Sequence, residues 1–256
     1  MDDFTRCLRF IEELEERACD RIEPFSHGRS FMASEFPVVW DDNFMRVDKP
    51  GASWEELTAA AEQIQGGAGL QHRKLMVPDE PWAEDLSNAA RRSGWEVTPL
   101  IFMVRRQEKT RVSSVPVKEV SYEEIRPLRQ ELMRRQPWAT TEEDVRQVLE
   151  ANRRWASRVQ ARFFMAEVDG QPAAACDLYR GSGLAQIEDV ETKAEFRNRG
   201  LASAVVLAAG AAALDDQEDP IVFLIADEND WPKALYEKMG FETVGRRIQL
   251  LKTNLS

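Results

Sequence analysis

Beyond about residue 115, the hydrophobic and polar positions switch repeatedly between a period of two and a period near 3.6, which predicts strands and helices in alternation. Residues 115–120 read as a first strand. Ser121-Tyr122-Glu123-Glu124 gives a serine cap with an acid three positions on, the start of a helix, although Pro127 follows closely. Thr141-Glu142-Glu143-Asp144 opens a second helix that runs to about Trp155. Two β-rich runs, 162–168 and 172–180, are separated by Asp169-Gly170, a hairpin signal. Gly181-Ser182-Gly183 turns the chain into another strand at 184–192. An alanine-rich helix at 201–214, an apolar strand at 221–225, a helix near 233–239 and a final hairpin at 241–252 complete the order.

The first part of the chain repeats the end of that order. An offset of 146 residues lays Gly94-Trp95-Glu96 on Gly240-Phe241-Glu242, a helix at 53–65 on the alanine-rich helix, and Lys74-Leu75-Met76-Val77 on the apolar strand. It also lays Val38-Val39-Trp40, read as a strand, near Gly183-Leu184-Ala185-Gln186. The polar stretch 110–116, with Ser113 and Ser114, separates the two parts and divides the chain into domains 1–110 and 111–256.

Composition narrows the function classes. A chain of 256 residues with 43% hydrophobic and 31% charged residues has enough apolar surface for real cores. No apolar run approaches the ~20 residues that span a bilayer, and Met1-Asp2-Asp3-Phe4 lacks a basic region followed by an apolar one, so no membrane partner and a cytoplasmic location are expected. The net charge of −11 argues against nucleic acid and suits a cationic partner. Asp215-Asp216-Gln217-Glu218-Asp219 reads as a solvated turn. Cys7, Cys19 and Cys176 are too scattered for a disulfide framework, and Cys176 reads as core filling. His27 and His72 show no ligand spacing, so no metal is expected.

The chemistry concentrates at Arg197-Asn198-Arg199-Gly200-Leu201-Ala202, between a strand and the alanine-rich helix. A glycine turn that feeds a helix N-terminus presents backbone N–H groups to an anion, and the two arginines add charge. The spacing Arg-x-x-Gly-x-Ala resembles the acyl-coenzyme A loop of the GNAT superfamily of N-acetyltransferases. Val190-Glu191-Thr192 before it and Asn229 with Leu235-Tyr236-Glu237-Lys238-Met239-Gly240-Phe241 after it resemble further segments of that superfamily, in its order.

The resemblance implies an α/β GNAT acyltransferase fold on a mixed sheet, with a full copy at 111–256 and a partial, degenerate copy before it. It also implies acetyl-CoA as cosubstrate, with transfer of the acetyl group to a primary amine of a small-molecule or peptide acceptor by direct attack in a ternary complex. Val190, Glu191 and Thr192 would take the pantetheine arm, with the Val190 N–H as donor to the thioester oxygen. Arg197, Asn198, Arg199, Gly200, Leu201, Ala202 and Ser203 would hold the pyrophosphate. Asn229 would bond the arm or cap the next helix, and Trp231 would cover the pocket mouth or anchor packing. Tyr236 stands at the general-acid position. Glu188 is the first candidate for the base, with Glu191 and Asp189 as rivals and water as the remaining reading; Glu188 and Asp189 share a face only if the strand bulges. Acceptor surface is expected around Arg134-Arg135-Gln136-Pro137-Trp138 and from the last hairpin. Under the 146-residue offset Gly200 falls on Trp54, Ala202 on Glu56 and Tyr236 on Ala90, so the first copy should not bind coenzyme A; it would shape the acceptor pocket or cover a sheet edge. The competing class is a non-catalytic acyl-coenzyme A sensor or interaction protein.

Overall fold

A computed structural model describes residues 1–105, 113–215 and 220–253, and these residues form one mixed sheet of eleven strands with seven α-helices on its faces. The first half runs α1 (Asp3–Ala18), β1 (Arg21–Phe25), β2 (Gly28–Met32), β3 (Phe44–Val47), α2 (Trp54–Ala61), β4 (Arg73–Pro78), α3 (Glu84–Arg92) and β5 (Glu96–Arg105). In the second half, β6 (Val117–Val120) and the helices α4 (Tyr122–Met133) and α5 (Glu142–Ser157) come first. The antiparallel strands β7 (Gln160–Val168), β8 (Gln171–Gly181) and β9 (Leu184–Thr192) follow. The chain ends with α6 (Leu201–Asp215), β10 (Ile221–Asp227), α7 (Pro232–Lys238) and β11 (Phe241–Lys252).

Local chemistry explains many of these boundaries. Ser121 caps α4 through the Glu124 N–H, and Glu124 returns a carboxylate to the Ser121 N–H. Thr141 caps α5 in the same way through Asp144. Asp169 and Gly170, at φ 52° and 76°, make the tight turn between β7 and β8, and Ser182 and Gly183, at 53° and 73°, make the next.

Across the sheet the strands lie in the order β1-β2-β3-β4-β11-β5-β10-β9-β8-β7-β6. The last strand of each half sits inside the other half. β5 pairs with β10, while β11 pairs with β4 on one side and β5 on the other, all antiparallel. Shifted by 146 residues, the starts of α2, β4, α3 and β5 fall within two residues of those of α6, β10, α7 and β11.

Alternation along the strands sorts the cores. Phe102, Val104, Phe223 and Tyr179 face α1, against Cys7, Phe10, Ile11 and Leu14. Ile101, Met103, Leu178 and Leu224 face α6, against Leu201, Val205, Ala209 and Ala213. Each fully buried aliphatic side chain contributes about 1.5–3 kcal/mol relative to exposure, so α6, apolar on nearly every face, is held by burial rather than by an amphipathic stripe. Cys176 is fully buried in this core.

Two expected elements differ. Residues 241–252 form one long strand, not a hairpin: the register shifts between Thr243 and Gly245, where the Phe4 ring packs so closely that a Cβ on Gly245 would lie 2.3 Å from its Cγ. The missing hairpin arm is supplied by β5. Residues 38–40 are not a strand either. The Asn43 amide ties the 33–43 segment into a loop, its Nδ2 donating to the carbonyls of Phe36 (2.8 Å) and Val39 (2.9 Å) and its Oδ1 accepting from the Ala33 N–H (3.0 Å). Groups bonded this way are not free for a sheet ladder, and the strand begins at Phe44 instead. The interdomain position at 110/111 and most of the 215–219 turn lie outside the described residues.

Candidate active site

The site is built around an irregularity in β9. Asp177 of β8 lies opposite Glu188, but Ala175 lies opposite Glu191, so β9 carries one extra residue, and Asp189 takes a φ of 49° there. Strict alternation would send Glu188 and Glu191 to opposite faces. The bulge brings both to the face of Ala175 and Asp177, and Asp189 reaches the same side, where it accepts from Asn152 Nδ2 at 3.1 Å and lies 3.5 Å from an Arg129 nitrogen. On its other flank β9 pairs with β10 only from Leu184 to Gln186. Beyond that point the strands part, as β10 continues along β5. Among the described residues, Val190 has no register partner in either ladder, and the Thr192 hydroxyl is buried without a hydrogen bond.

The carboxylates differ in their electrostatics. Burial, reinforced by the Asp189 charge, lifts Glu188 from its ordinary value of 4.5 to about 8. Glu191 rises to about 8 for the same reasons, opposed by Arg129. Gln186 donates its amide to Glu188. Beneath them lies a buried ion pair that the sequence reading missed. Arg129 of α4, fully buried, donates from both terminal nitrogens to Asp177, and the Tyr179 hydroxyl donates to Asp177 at 3.0 Å. Burial holds Asp177 near 6 despite this company. Removing one member of such a pair costs about 3–5 kcal/mol, so Arg129 fixes the bulge through Asp189 and Asp177 together.

Tyr236 projects from α7 and is buried, its ring edge-on to Phe241 with centroids 6.0 Å apart. Burial raises its pKa, and the nearby Glu188 and Cys176 add to the effect, so the phenol keeps its proton at neutral pH.

The turn before α6 is open. Asn198 and Gly200 have φ of 61° and 76°, and a Cβ built on Gly200 meets no atom within 4 Å. Among the described residues no acceptor closes on the N–H groups of Gly200, Leu201, Ala202 or Ser203. Arg197 and Arg199 are exposed beside them, Arg199 lying 5.4 Å over the Phe196 ring. Asn229 is exposed and caps nothing: α7 begins after Trp231 without a side-chain cap. Trp231 is 65% exposed, which removes the packing-anchor reading.

Between the halves lies a cavity of about 690 Å³. Glu188, Asp189 and Glu191 form one wall, Trp138 and Trp155 another, and the loop 38–42 of the first half closes it. Of the expected acceptor segment, Gln136 and Trp138 line the cavity, whereas Arg134 and Arg135 turn outward to pair with Glu142 and with Glu131 and Glu195. The expected contribution from the end of the chain comes from Arg247, Gln249 and Leu251 of β11. Asp42, 1% exposed, accepts from Trp155 Nε1 at 2.6 Å through Oδ1, while its Oδ2 has no hydrogen-bond partner among the described residues; burial lifts this carboxyl to about 7. The two cations of the lining are engaged already, Lys74 with Asp41 and Arg247 with Glu15 at 2.6 Å. Among the described residues no cluster of three or more His, Cys, Asp or Glu is arranged to hold a metal ion.

The family model for the acetyltransferase (GNAT) family matches residues 125–241. Solved structures share the fold. A conserved protein of unknown function from Staphylococcus epidermidis is 19% identical with a TM-score of 0.74, covering 93% of this chain and 95% of that one. A GCN5-related N-acetyltransferase from Kribbella flavida is 18% identical with a TM-score of 0.61, over 100% and 97%. A tandem GNAT protein from the clavulanic acid biosynthesis pathway is 18% identical with a TM-score of 0.57, over 83% and 76%. No curated protein matches the chain significantly. At these identities the likenesses establish the fold, a mixed α/β GNAT fold whose neighbours extend over the entire chain.

Proposed function

We propose that the protein is an N-acetyltransferase that moves an acetyl group from acetyl-CoA to a primary amine by direct attack in a ternary complex. The observation that carries this reading is the bulged, splayed β9, which sets unpartnered backbone and three carboxylates beside an open helix-opening turn. The residues present fit the donor: amides without internal acceptors, open space at Gly200 and two exposed arginines suit a pyrophosphate, and the free edge of β9 at Val190, Glu191 and Thr192 suits a pantetheine arm. When bound, acetyl-CoA supplies an activated acetyl group as a thioester.

The chain's own groups do the rest. Glu188 takes the proton of the acceptor's ammonium, with Glu191 and Asp189 close by to share the charge. The Val190 N–H is the donor for a developing oxyanion. Tyr236, kept neutral by burial, gives its proton to the departing sulfur. No metal is assigned a role in this reading.

The two halves, 1–110 and 111–256, are read as copies of one unit, the first degenerate. The offset between their helices and strands supports this, as does the closure of α2 by its own side chains. The first copy then serves as a wall of the acceptor cavity as well as a sheet neighbour.

The test is thiol release from acetyl-CoA across a panel of primary amines, with Tyr236→Phe alongside. The variant should keep its coenzyme A affinity and lose turnover by about 10²–10⁴-fold. Equal turnover removes Tyr236 as the acid. Coenzyme A binding without thiol release for any amine favours the non-catalytic sensor instead.

A further inference from the structure

Among the described residues, the unsatisfied buried groups of the cavity lining are mostly acceptors; the unpaired donors, Nε and Nη1 of Arg247, belong to a guanidinium that already faces Glu15. Asp42 Oδ2, Gln186 Oε1 and Glu191 Oε2 are buried acceptors without hydrogen bonds, and all three residues line the same space. Buried acceptors are normally paired, so a ligand rich in N–H donors is what completes this site. These acceptors form two poles. One is the β9 cluster around Glu188. The other is Asp42, brought in by the first half and 1% exposed.

Helix α5 ties the poles together: Asn152 holds Asp189, and Trp155, three residues on, holds Asp42. Positions three apart on a helix are neighbours, so both poles are held from one face of α5 and line the same cavity. The charge of Asp41, next to Asp42, reaches Glu188 as well. The same lining holds Val38, Val39, Trp40 and Trp155, surfaces that accept an alkyl chain and attract a cation over an indole face.

We infer that the amine acceptor carries a second cationic nitrogen, as in a linear aliphatic diamine or longer oligoamine, and that Asp42 holds this nitrogen while the first is presented to Glu188. The inference rests on the acetyltransferase reading for its first pole, whereas the second pole is contributed wholly by the half that carries no donor turn. An acceptor molecule without a second donor group leaves Asp42 Oδ2 unpaired. A monoamine satisfies one pole only.

Calorimetric titration of the full chain, with and without coenzyme A, compares butane-1,4-diamine with n-butylamine. The parent should bind the diamine at least about tenfold more tightly, since one charge-assisted contact is added. Asp42→Asn keeps an acceptor for Trp155 Nε1 and should abolish that preference by weakening the diamine alone. A ratio near one in the parent, or an unchanged ratio in D42N, or equal weakening of both amines, overturns the inference. If D42N does not fold, the parent's ratio still decides. Failure of the acetyltransferase reading looks different: no thiol is released from acetyl-CoA with either amine although the diamine preference survives.

Discussion

The openings of α2 and α6 occupy matching places in the two halves, and they have opposite chemistry. At α6 four consecutive amides have no internal acceptor among the described residues, the first turn holds no acid, and arginines flank it. At α2 Ser53 accepts from the Glu56 N–H, Glu56 accepts from the Ser53 N–H at 2.9 Å, and Glu55 adds a second carboxylate. Trp54 stands near the position matched by Gly200, its indole bonded to Ser93 and edge-on to Trp95 at 5.1 Å. The same fold thus yields an open or a sealed helix end, depending on whether side chains consume the amides. A helix terminus is a binding site only when the sequence leaves it unsatisfied.

The contrast separates an open helix end in the second half from a sealed one in the first, and substitutions can break or sharpen that division. The largest effect is expected from Glu188→Gln, which should lower kcat by about 10²–10⁴-fold. In the parent, kcat/KM should rise with pH up to about 8, as the raised carboxyl of Glu188 ionises, and the variant should lose this dependence. A parent profile flat across that range removes Glu188 as the base. Next, Gly200→Trp places the first half's residue in the second half's cradle. Its positive φ and the blocked approach should weaken coenzyme A by about 10²-fold in a binding titration; affinity within a factor of about three contradicts the cradle.

A smaller effect concerns stability. Glu188 and Glu191 have folded values near 8 against ordinary values of 4.5, so the folded state holds protons that the unfolded chain has released. Stability should therefore fall as pH rises from about 4.5 to about 8 and level off above. Melting curves should show Glu188→Gln raising the midpoint at pH 9 more than at pH 5. The smallest effect is Ser53→Ala. It removes the α2 cap, costs about 1 kcal/mol in denaturant unfolding, and should leave coenzyme A affinity unchanged; altered affinity would show that the opening of α2 takes part in donor binding.

Local signals in the sequence were enough for the strands β7 to β9, because turn residues such as Asp169-Gly170 and Ser182-Gly183 act within a few positions. The glycine turn before α6 was legible for the same reason, as was the condition that β9 must bulge for its acids to converge. Long-range events were not. β11 was mistaken for a hairpin because its partners β4 and β5 lie far away in the chain. Arg129 and Asp42 look like ordinary surface charges in the sequence, and nothing local distinguishes buried Asp42 from Asp41, which pairs with Lys74. Burial of a charge is decided by what the rest of the chain lays over it.

The exchange of final strands has its own consequence for how the molecule comes into being. During synthesis the first half leaves the ribosome with the flank of β4 exposed, and nothing covers it until β11 is made. That edge is an invitation to stray partners throughout translation. Neither half can be excised as an autonomous module without opening the other, so the molecule should melt as a single unit despite its doubled plan.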